Sequence, residues 1–182
     1  MKHCGTQRLE TERLILRRFA IEDFEMMYKN WASDEEVTKY LTWPVHSSTE
    51  VSKSLLKDWA GLYSDEKYYQ WAIVPKDVGE PIGSISVVHM KEDVSMAHIG
   101  YCIGKNWWHK GITSEALKAV MDFLFNEVNV NRIEARHDPR NPNSGKVMKK
   151  CGMKYEGTLR SSDCNNQGIC DACYYALLKS ER

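Results

Sequence analysis

Apolar and polar residues alternate in two periods along this chain, and the periods take turns. Around Leu14, Ile15, Leu16 and Phe19 the pattern predicts a first strand ending near Arg18. From Ile21 to Trp31 the apolar residues Phe24, Met27, Tyr28 and Trp31 fall at helical spacing, which predicts a helix. Ser33, standing before Asp34 and Glu35, reads as the cap of a short second helix. Pro44 stops any helix before it, so Leu41 to Pro44 is expected to be a loop. Ser48 or Thr49 opens a further helix with Val51, Leu55, Leu56, Trp59 and Leu62 along one side. Tyr68 to Val74 and Ile82 to His89 read as paired strands across a turn at Lys76 to Pro81. In the second of these, Ile85 and Val87 share one face and Ser84 and Ser86 the other.

The second half repeats the exchange. Met96 to Ile103 reads as a strand. The helix from about Gly111 to Asn126 confines its polar residues to a stripe at Glu115, Lys118, Asp122 and Asn126, so it should lie deeply against a sheet. Asn131 to His137 is the next strand. Asn141 followed by Pro142 is a helix start, and Gly152 is the matching stop. Met153 to Ser162 and Asp171 to Lys179 form a final hairpin. No internal repeat, low-complexity tract or linker interrupts the pattern. The expectation is one α/β domain over residues 1–182, a mixed sheet of about seven strands with helices on both faces.

Composition narrows the class. Lys plus Arg and Asp plus Glu each number 25, so the net charge is zero. That argues against a nucleic-acid binder relying on a broad basic surface. No apolar run approaches the length of a membrane span. The opening MKHCGTQRLETERLILRR is polar and lacks an apolar signal core, so a cytoplasmic protein is expected. Cys102 and Cys151 read as buried small hydrophobes. Cys164, Cys170 and Cys173 form a CxxC with a third thiol upstream, but no histidine follows to complete a zinc set, so no metal is expected.

The segment richest in chemistry is Tyr101 to Leu117, YCIGKNWWHKGITSEAL: a strand, a basic glycine turn and a helix. The first turn of such a helix offers unpaired N–H groups and the positive end of its dipole. Lys110 and His109 add to that field, and Gly111 lets a phosphate approach the backbone closely. A phosphate or pyrophosphate is the expected anion.

Several motifs along nearly the whole chain resemble the GNAT N-acetyltransferases, and within them the branch that acetylates ribosomal-protein N-termini. These are LETERLILRRF (Leu9 to Phe19), DEEVTKYLTWP (Asp34 to Pro44), YYQWAIVPKDVGEPIGSISV (Tyr68 to Val87), HIGYCIGKNWWHKGITSEAL, and NRIEARHDPRNPNSGKVMKKCGMKYEGTLR (Asn131 to Arg160). The resemblance implies a GNAT fold, a mostly antiparallel sheet with a splayed cofactor-binding edge, and acetyl-CoA as co-substrate. The family's signature positions fall on Trp108, Gly111 and Thr113, of which only the central glycine is kept; His109 stands where this branch usually has glycine.

The resemblance also implies roles. His109, Lys110, Gly111, Ile112, Thr113 and Ser114 would meet the pyrophosphate, Cys102 and Ile103 the pantetheine through backbone groups, Asn141 the pantetheine arm, and Lys146 a nucleotide phosphate. Many relatives protonate the leaving thiolate with a tyrosine where this chain has Met148; the ribosomal branch instead uses the serine that matches Ser144. An acid after EGTLR, here Asp163, would handle the amine, with His98 a rival base whose ordinary pKa suits neutrality. Trp43, with Pro44, and the strand bearing Tyr69 and Trp71 lie where that branch forms its acceptor groove. The expected partner is an amine acceptor: a protein N-terminus, an amino acid, a polyamine or an antibiotic. A second copy of the chain remains open, as does a non-catalytic acyl-CoA sensor. Neither nucleic acid nor membrane is expected.

Overall fold

A computed structural model describes all 182 residues and resolves them into one eight-stranded sheet with the order β1-β2-β3-β4-β5-β6-β8-β7. In chain order the elements are β1 (Leu9–Glu10), β2 (Leu14–Arg17), α1 (Phe24–Met27), α2 (Glu35–Thr38), α3 (Thr49–Leu62), β3 (Gln70–Pro75), β4 (Gly83–Lys91), β5 (Met96–Ile103), α4 (Ile112–Phe123), β6 (Arg132–His137), α5 (Pro142–Lys150), β7 (Lys154–Asn165) and β8 (Gly168–Leu178). A 3₁₀ turn before α1 and a π turn after it extend that helix from Ile21 to Ala32, and a π turn extends α4 to Val128. No helix is long and apolar enough to cross a membrane.

Strand alternation sorts the core into two layers. Leu14, Leu16, Tyr69, Trp71, Ile73, Ile85, Ala97, Ile99 and Ile103 point to one face and pack against α4 and its π turn through Leu117, Val120, Phe123 and Phe125. Ala72, Val74 and Cys102 point to the other face and meet Phe19, Met27, Trp31 and Leu56 from the α1–α3 layer. The apolar breadth of α4 follows from this: it fills the larger core, and only its outer stripe sees solvent.

The pairing of β5 sets up the site. β5 follows β4 along its whole length, from Lys91↔Met96 to Gly83↔Ile103, with a bulge at Val88. Its parallel pairing with β6 covers only Met96↔Arg132, Ala97↔Ile133 and His98↔Glu134. Beyond that point β6 stays with β8, as in Arg136↔Tyr174 and His137↔Cys173. The sheet therefore splits after His98, and a bulge of this kind adds the local twist that a diverging edge needs.

Differences from the sequence reading are local. β1 is an extra strand, too short for alternation to announce it. The side chain of Asp34, not Ser33, caps α2, accepting from the Glu36 N–H at 2.8 Å. The final hairpin runs on to Asn165 and resumes at Gly168, leaving a tip of Asn166 and Gln167.

Candidate active site

A cleft of about 500 Å³ opens where the sheet splits, lined by the end of β5, the turn into α4, the first half of α5 and the α2 segment. A trough of similar size between β1 and α4 is more open, and none of the candidate site residues line it.

The anion-binding end is built from backbone. Gly111 takes a left-handed conformation (φ +75°) as the N-cap of α4, and no side chain caps the helix. The N–H groups of its first turn, at Ile112, Thr113 and Ser114, are thus left without an intrahelical or capping partner. His109 also has positive φ, +61°, a costly state for a residue with a Cβ. Arg13 braces the turn: Nη1 donates to the Lys110 carbonyl at 3.0 Å, and Nε to Glu115 Oε2 at 2.7 Å. Lys146 and Lys150, one helical turn apart on α5, line the same cleft with His109. Lys150 and Arg13 did not emerge from the sequence reading. The four-residue spacing of Lys146 and Lys150 was a usable signal for the first, whereas nothing local links Arg13 to residues a hundred positions away.

The middle of the cleft runs along β5. The Gly104 N–H donates to the Ile82 carbonyl at 2.8 Å. Alternation in an antiparallel ladder then commits the backbone groups of Cys102 to Ser84 on β4, and turns those of Tyr101 and Ile103 toward the opening. The Ile103 carbonyl is taken by Trp108 Nε1 at 2.9 Å. Cys102 remains in the lining, but its backbone is not the free edge. Opposite lies Asn141, the N-cap of α5, whose side chain makes no capping bond and stays available to the cleft. Its neighbourhood is fixed by Asp138, which accepts from the Arg140 N–H, its guanidinium and Asn165 Nδ2 at 2.6–3.2 Å. The Arg140 guanidinium, first among these donors, holds that carboxyl far below its usual range.

Ser144, in the first turn of α5, faces Tyr101 across the cleft. Tyr101 Oη lies 2.9 Å from the Ser144 carbonyl oxygen and 3.0 Å from Ser144 Oγ. Burial pushes the Tyr101 phenol well above its ordinary pKa. Met148 points into the core and is 1% exposed. Gly145 lets α5 approach β6, because a Cβ there would sit 2.5 Å from His137 Nε2.

Asp163 and His98 lie outside the cleft lining but are joined to each other. Arg136 donates to both Asp163 oxygens, Nε to Oδ2 at 2.5 Å and Nη2 to Oδ1 at 3.1 Å, and its Nη1 is 3.3 Å from His98 Nε2. A guanidinium only donates, so Nε2 accepts, and His98 Nδ1 carries the proton it gives to Glu134 Oε1 at 3.0 Å. The Arg136 guanidinium holds the Asp163 carboxyl below its usual pKa, and His98 followed by Arg132 does the same for Glu134. In the resting structure both nitrogens of His98 are engaged and both oxygens of Asp163 are paired with Arg136.

The aromatic acceptor candidates are placed elsewhere. Tyr69 and Trp71 are fully buried against Phe123 in the larger core. Trp71 Nε1 donates to the Gln7 carbonyl at 2.6 Å and the Tyr69 hydroxyl meets the Cys4 N–H at 3.3 Å, so both hold the N-terminal arm. Their strand positions share the α4 face, which is why they join the core. Trp43 packs on His46, its ring 5.3 Å away, and its carbonyl accepts from Asn166 Nδ2 at 2.8 Å. Exposed Pro44 is likewise absent from the lining. The wall facing the cofactor edge is instead Glu36, Val37, Lys39, Tyr40 and Leu41. Cys164, Cys170 and Cys173 are free thiols on the last hairpin, and no cluster of three His, Cys, Asp or Glu side chains converges as a metal ion requires.

A sequence model described as "Acetyltransferase (GNAT) domain" matches residues 13–154. An uncharacterised N-acetyltransferase, p20, of Bacillus licheniformis is 32% identical over 95% of this chain and 97% of its own length. Two relatives from Escherichia coli are named for their acceptors. One is an L-amino acid N-acetyltransferase, 26% identical over 91% of this chain and 98% of its own. The other is a ribosomal protein uS5-alanine N-acetyltransferase, 25% identical over 82% and 79%. Among solved structures, a GNAT-family acetyltransferase from Bacillus anthracis superposes with a TM-score of 0.83 at 26% identity, covering 96% of this chain and 100% of that one.

Proposed function

The chain belongs to the GNAT acetyltransferase family, and on that premise we propose that it transfers the acetyl group of acetyl-CoA to the α-amine of a polypeptide, as the ribosomal-type branch does. The observation that carries the reading is the single cleft in which an uncapped α4 N-terminus, a free strand edge and the Ser144 hydroxyl lie in sequence. The residues present fit the co-substrate. The first-turn N–H groups of α4, with His109, Lys110, Lys146 and Lys150, suit its phosphates. The outward backbone groups of Tyr101, the Ile103 N–H and the amide of Asn141 suit its amide-bearing arm. Acetyl-CoA supplies an activated acyl group on a thiol leaving group. Ser144, in the cleft lining, would donate its Oγ–H to negative charge gathering on sulfur.

The case for an α-amine rests on bases. Asp163 is paired with Arg136, both nitrogens of His98 are engaged, and Glu36 bonds Lys105 Nζ at 2.6 Å. An acceptor that sheds its own proton is therefore favoured. At about pH 7.5 an α-amine of pKa ~7.8 is roughly one-third free, whereas an alkyl amine of pKa ~10.4 is about 0.1% free, a difference of roughly 250-fold. Within this reading Asp163 and His98 receive the departing proton only after Arg136 shifts, or through water. The test is thiol release from acetyl-CoA with a panel of alanine- and serine-starting peptides, free amino acids, spermidine and an aminoglycoside. Peptides should lead at neutral pH; a polyamine or aminoglycoside leading instead would overturn the α-amine assignment, and a free amino acid leading would overturn its assignment to a polypeptide. No thiol release with any amine would favour an acyl-CoA sensor.

A further inference from the structure

Tyr101 is absent from every role assigned above except through its backbone, yet its hydroxyl is the hydrogen-bond partner of Ser144 Oγ, at 3.0 Å. We propose that Tyr101 is a positioning residue that turns the Ser144 proton into the cleft when negative charge forms on the leaving sulfur. The proposal rests on the reading of Ser144 as the sulfur's hydrogen-bond donor and adds what controls that donor.

The argument is one of counting protons. Tyr101 Oη carries one proton and has two acceptors within reach, the Ser144 carbonyl at 2.9 Å and Ser144 Oγ at 3.0 Å. When the phenol donates to the carbonyl, Ser144 best satisfies its own proton by giving it back to Tyr101 Oη, turned away from the cleft. When the phenol donates to Oγ, the Ser144 proton must point elsewhere, and the cleft is where a new acceptor arises. The two arrangements differ by rotation about two C–O bonds, with nearly equal heavy-atom distances. An electron-rich sulfur would select the second. A chain of donors running Tyr101 to Ser144 to sulfur is also stronger than Ser144 alone, because each bond polarises the next. No proton changes owner: burial keeps the phenol protonated, and the Cys151 thiol that acts on it is itself pushed up to about 11 by burial.

The local build supports a positioning part. Tyr101 stands on the splayed stretch of β5, past the last residue paired with β6, so its place is held by β4 through Ile85↔Tyr101. Ser144 is held by α5, whose approach depends on Gly145. The two hydroxyls thus meet across the split in the sheet, on two elements that are independently anchored.

The experiment uses Tyr101→Phe, Ser144→Ala and the double variant, with two readouts. The first needs no acceptor: the pKa of the CoA thiol bound to the enzyme, followed by thiolate ultraviolet absorbance against the free enzyme. Ser144→Ala should raise it, and Tyr101→Phe should raise it by a smaller amount, together about one pH unit. The second is kcat with the acceptor that leads the panel. Tyr101→Phe should lower kcat about tenfold with the acetyl-CoA KM nearly unchanged, and should cost less than about twofold once Ser144 is alanine. Melting temperature and CoA affinity by calorimetry verify that each variant is folded and loaded. If Ser144→Ala moves both readouts while Tyr101→Phe moves neither, or adds its full effect in the double variant, Tyr101 has no such role and Ser144 acts alone. If Ser144→Ala moves neither readout, the parent reading of Ser144 is wrong.

Discussion

Replacing Gly145 by alanine is a severe test of how the site is held together. The new Cβ would stand 2.5 Å from His137 Nε2 and 3.1 Å from its Cε1. The ring has little room to yield, since it stacks on Tyr175 with centroids 5.7 Å apart and its Nδ1–H donates to the Asp138 carbonyl at 2.8 Å. Ordinary carbon–nitrogen contact needs about 3.5 Å, so the start of α5 must lift by roughly 1 Å. Overpacking of this kind costs about 1–3 kcal/mol, and the better helix propensity of alanine returns about 1 kcal/mol. The net is a loss of about 0–2 kcal/mol, or up to roughly 8 °C in melting temperature for a chain of this size. The larger effect should be on rate. Ser144 and Asn141 move with the helix start, and a displacement near 1 Å can cost on the order of 100-fold in kcat. Calorimetry gives the stability and steady-state thiol release the rate. His137→Ala in the same chain should recover part of the lost rate, because it removes the obstacle. A Gly145→Ala protein that is more stable than the parent and turns over normally would refute the claim that this glycine sets the approach of α5.

Three further outcomes follow from the same geometry. Gly111→Val forces a β-branched residue to hold φ near +75°, and acetyl-CoA affinity measured by calorimetry should fall at least tenfold, with only a small loss of melting temperature. Trp71→Ala should cost about 3–5 kcal/mol of stability while leaving the acceptor KM of the folded protein near its original value, because the ring is core and not groove. Asp163 has a depressed folded pKa, so its contribution is present at neutral pH and is lost as pH falls from the unfolded value of about 3.9 through the lower folded one; melting curves should show Asp163→Asn less stable than the parent at pH ~7 and converging with it at strongly acidic pH.

The elements that position the site were largely legible in the sequence. The polar stripe of α4, the Asn141–Pro142 start of α5 and the run Met96–Ile103 rest on local rules, and the structure places them at those residues to within a position or so. The glycine turn was legible because Gly111 supplies a conformation few residues accept. What stayed hidden depends on pairing between distant segments. The split after His98 is a matter of where β6 leaves β5, and no residue type marks it. Arg13 with Glu115, Arg136 with Asp163, and Tyr101 with Ser144 are contacts between segments tens to a hundred residues apart. Tyr69 and Trp71 illustrate the converse: aromatic residues near an expected groove carry no sign of which face they take until the register with β2 and β4 is known.

The central claim is acetyl transfer to an amine that arrives already able to lose its proton, with Asp163 and His98 both engaged outside the cleft lining. It is tested most directly by the pH dependence of kcat/KM for two alanine-starting peptides whose α-amine pKa values differ by about one unit, one carrying an electron-withdrawing residue in second place. The account predicts that the rising limb follows the peptide, its midpoint moving by about one unit with the acceptor's own pKa. A midpoint that stays fixed when the peptide changes would assign the titration to a group of the enzyme and contradict the account.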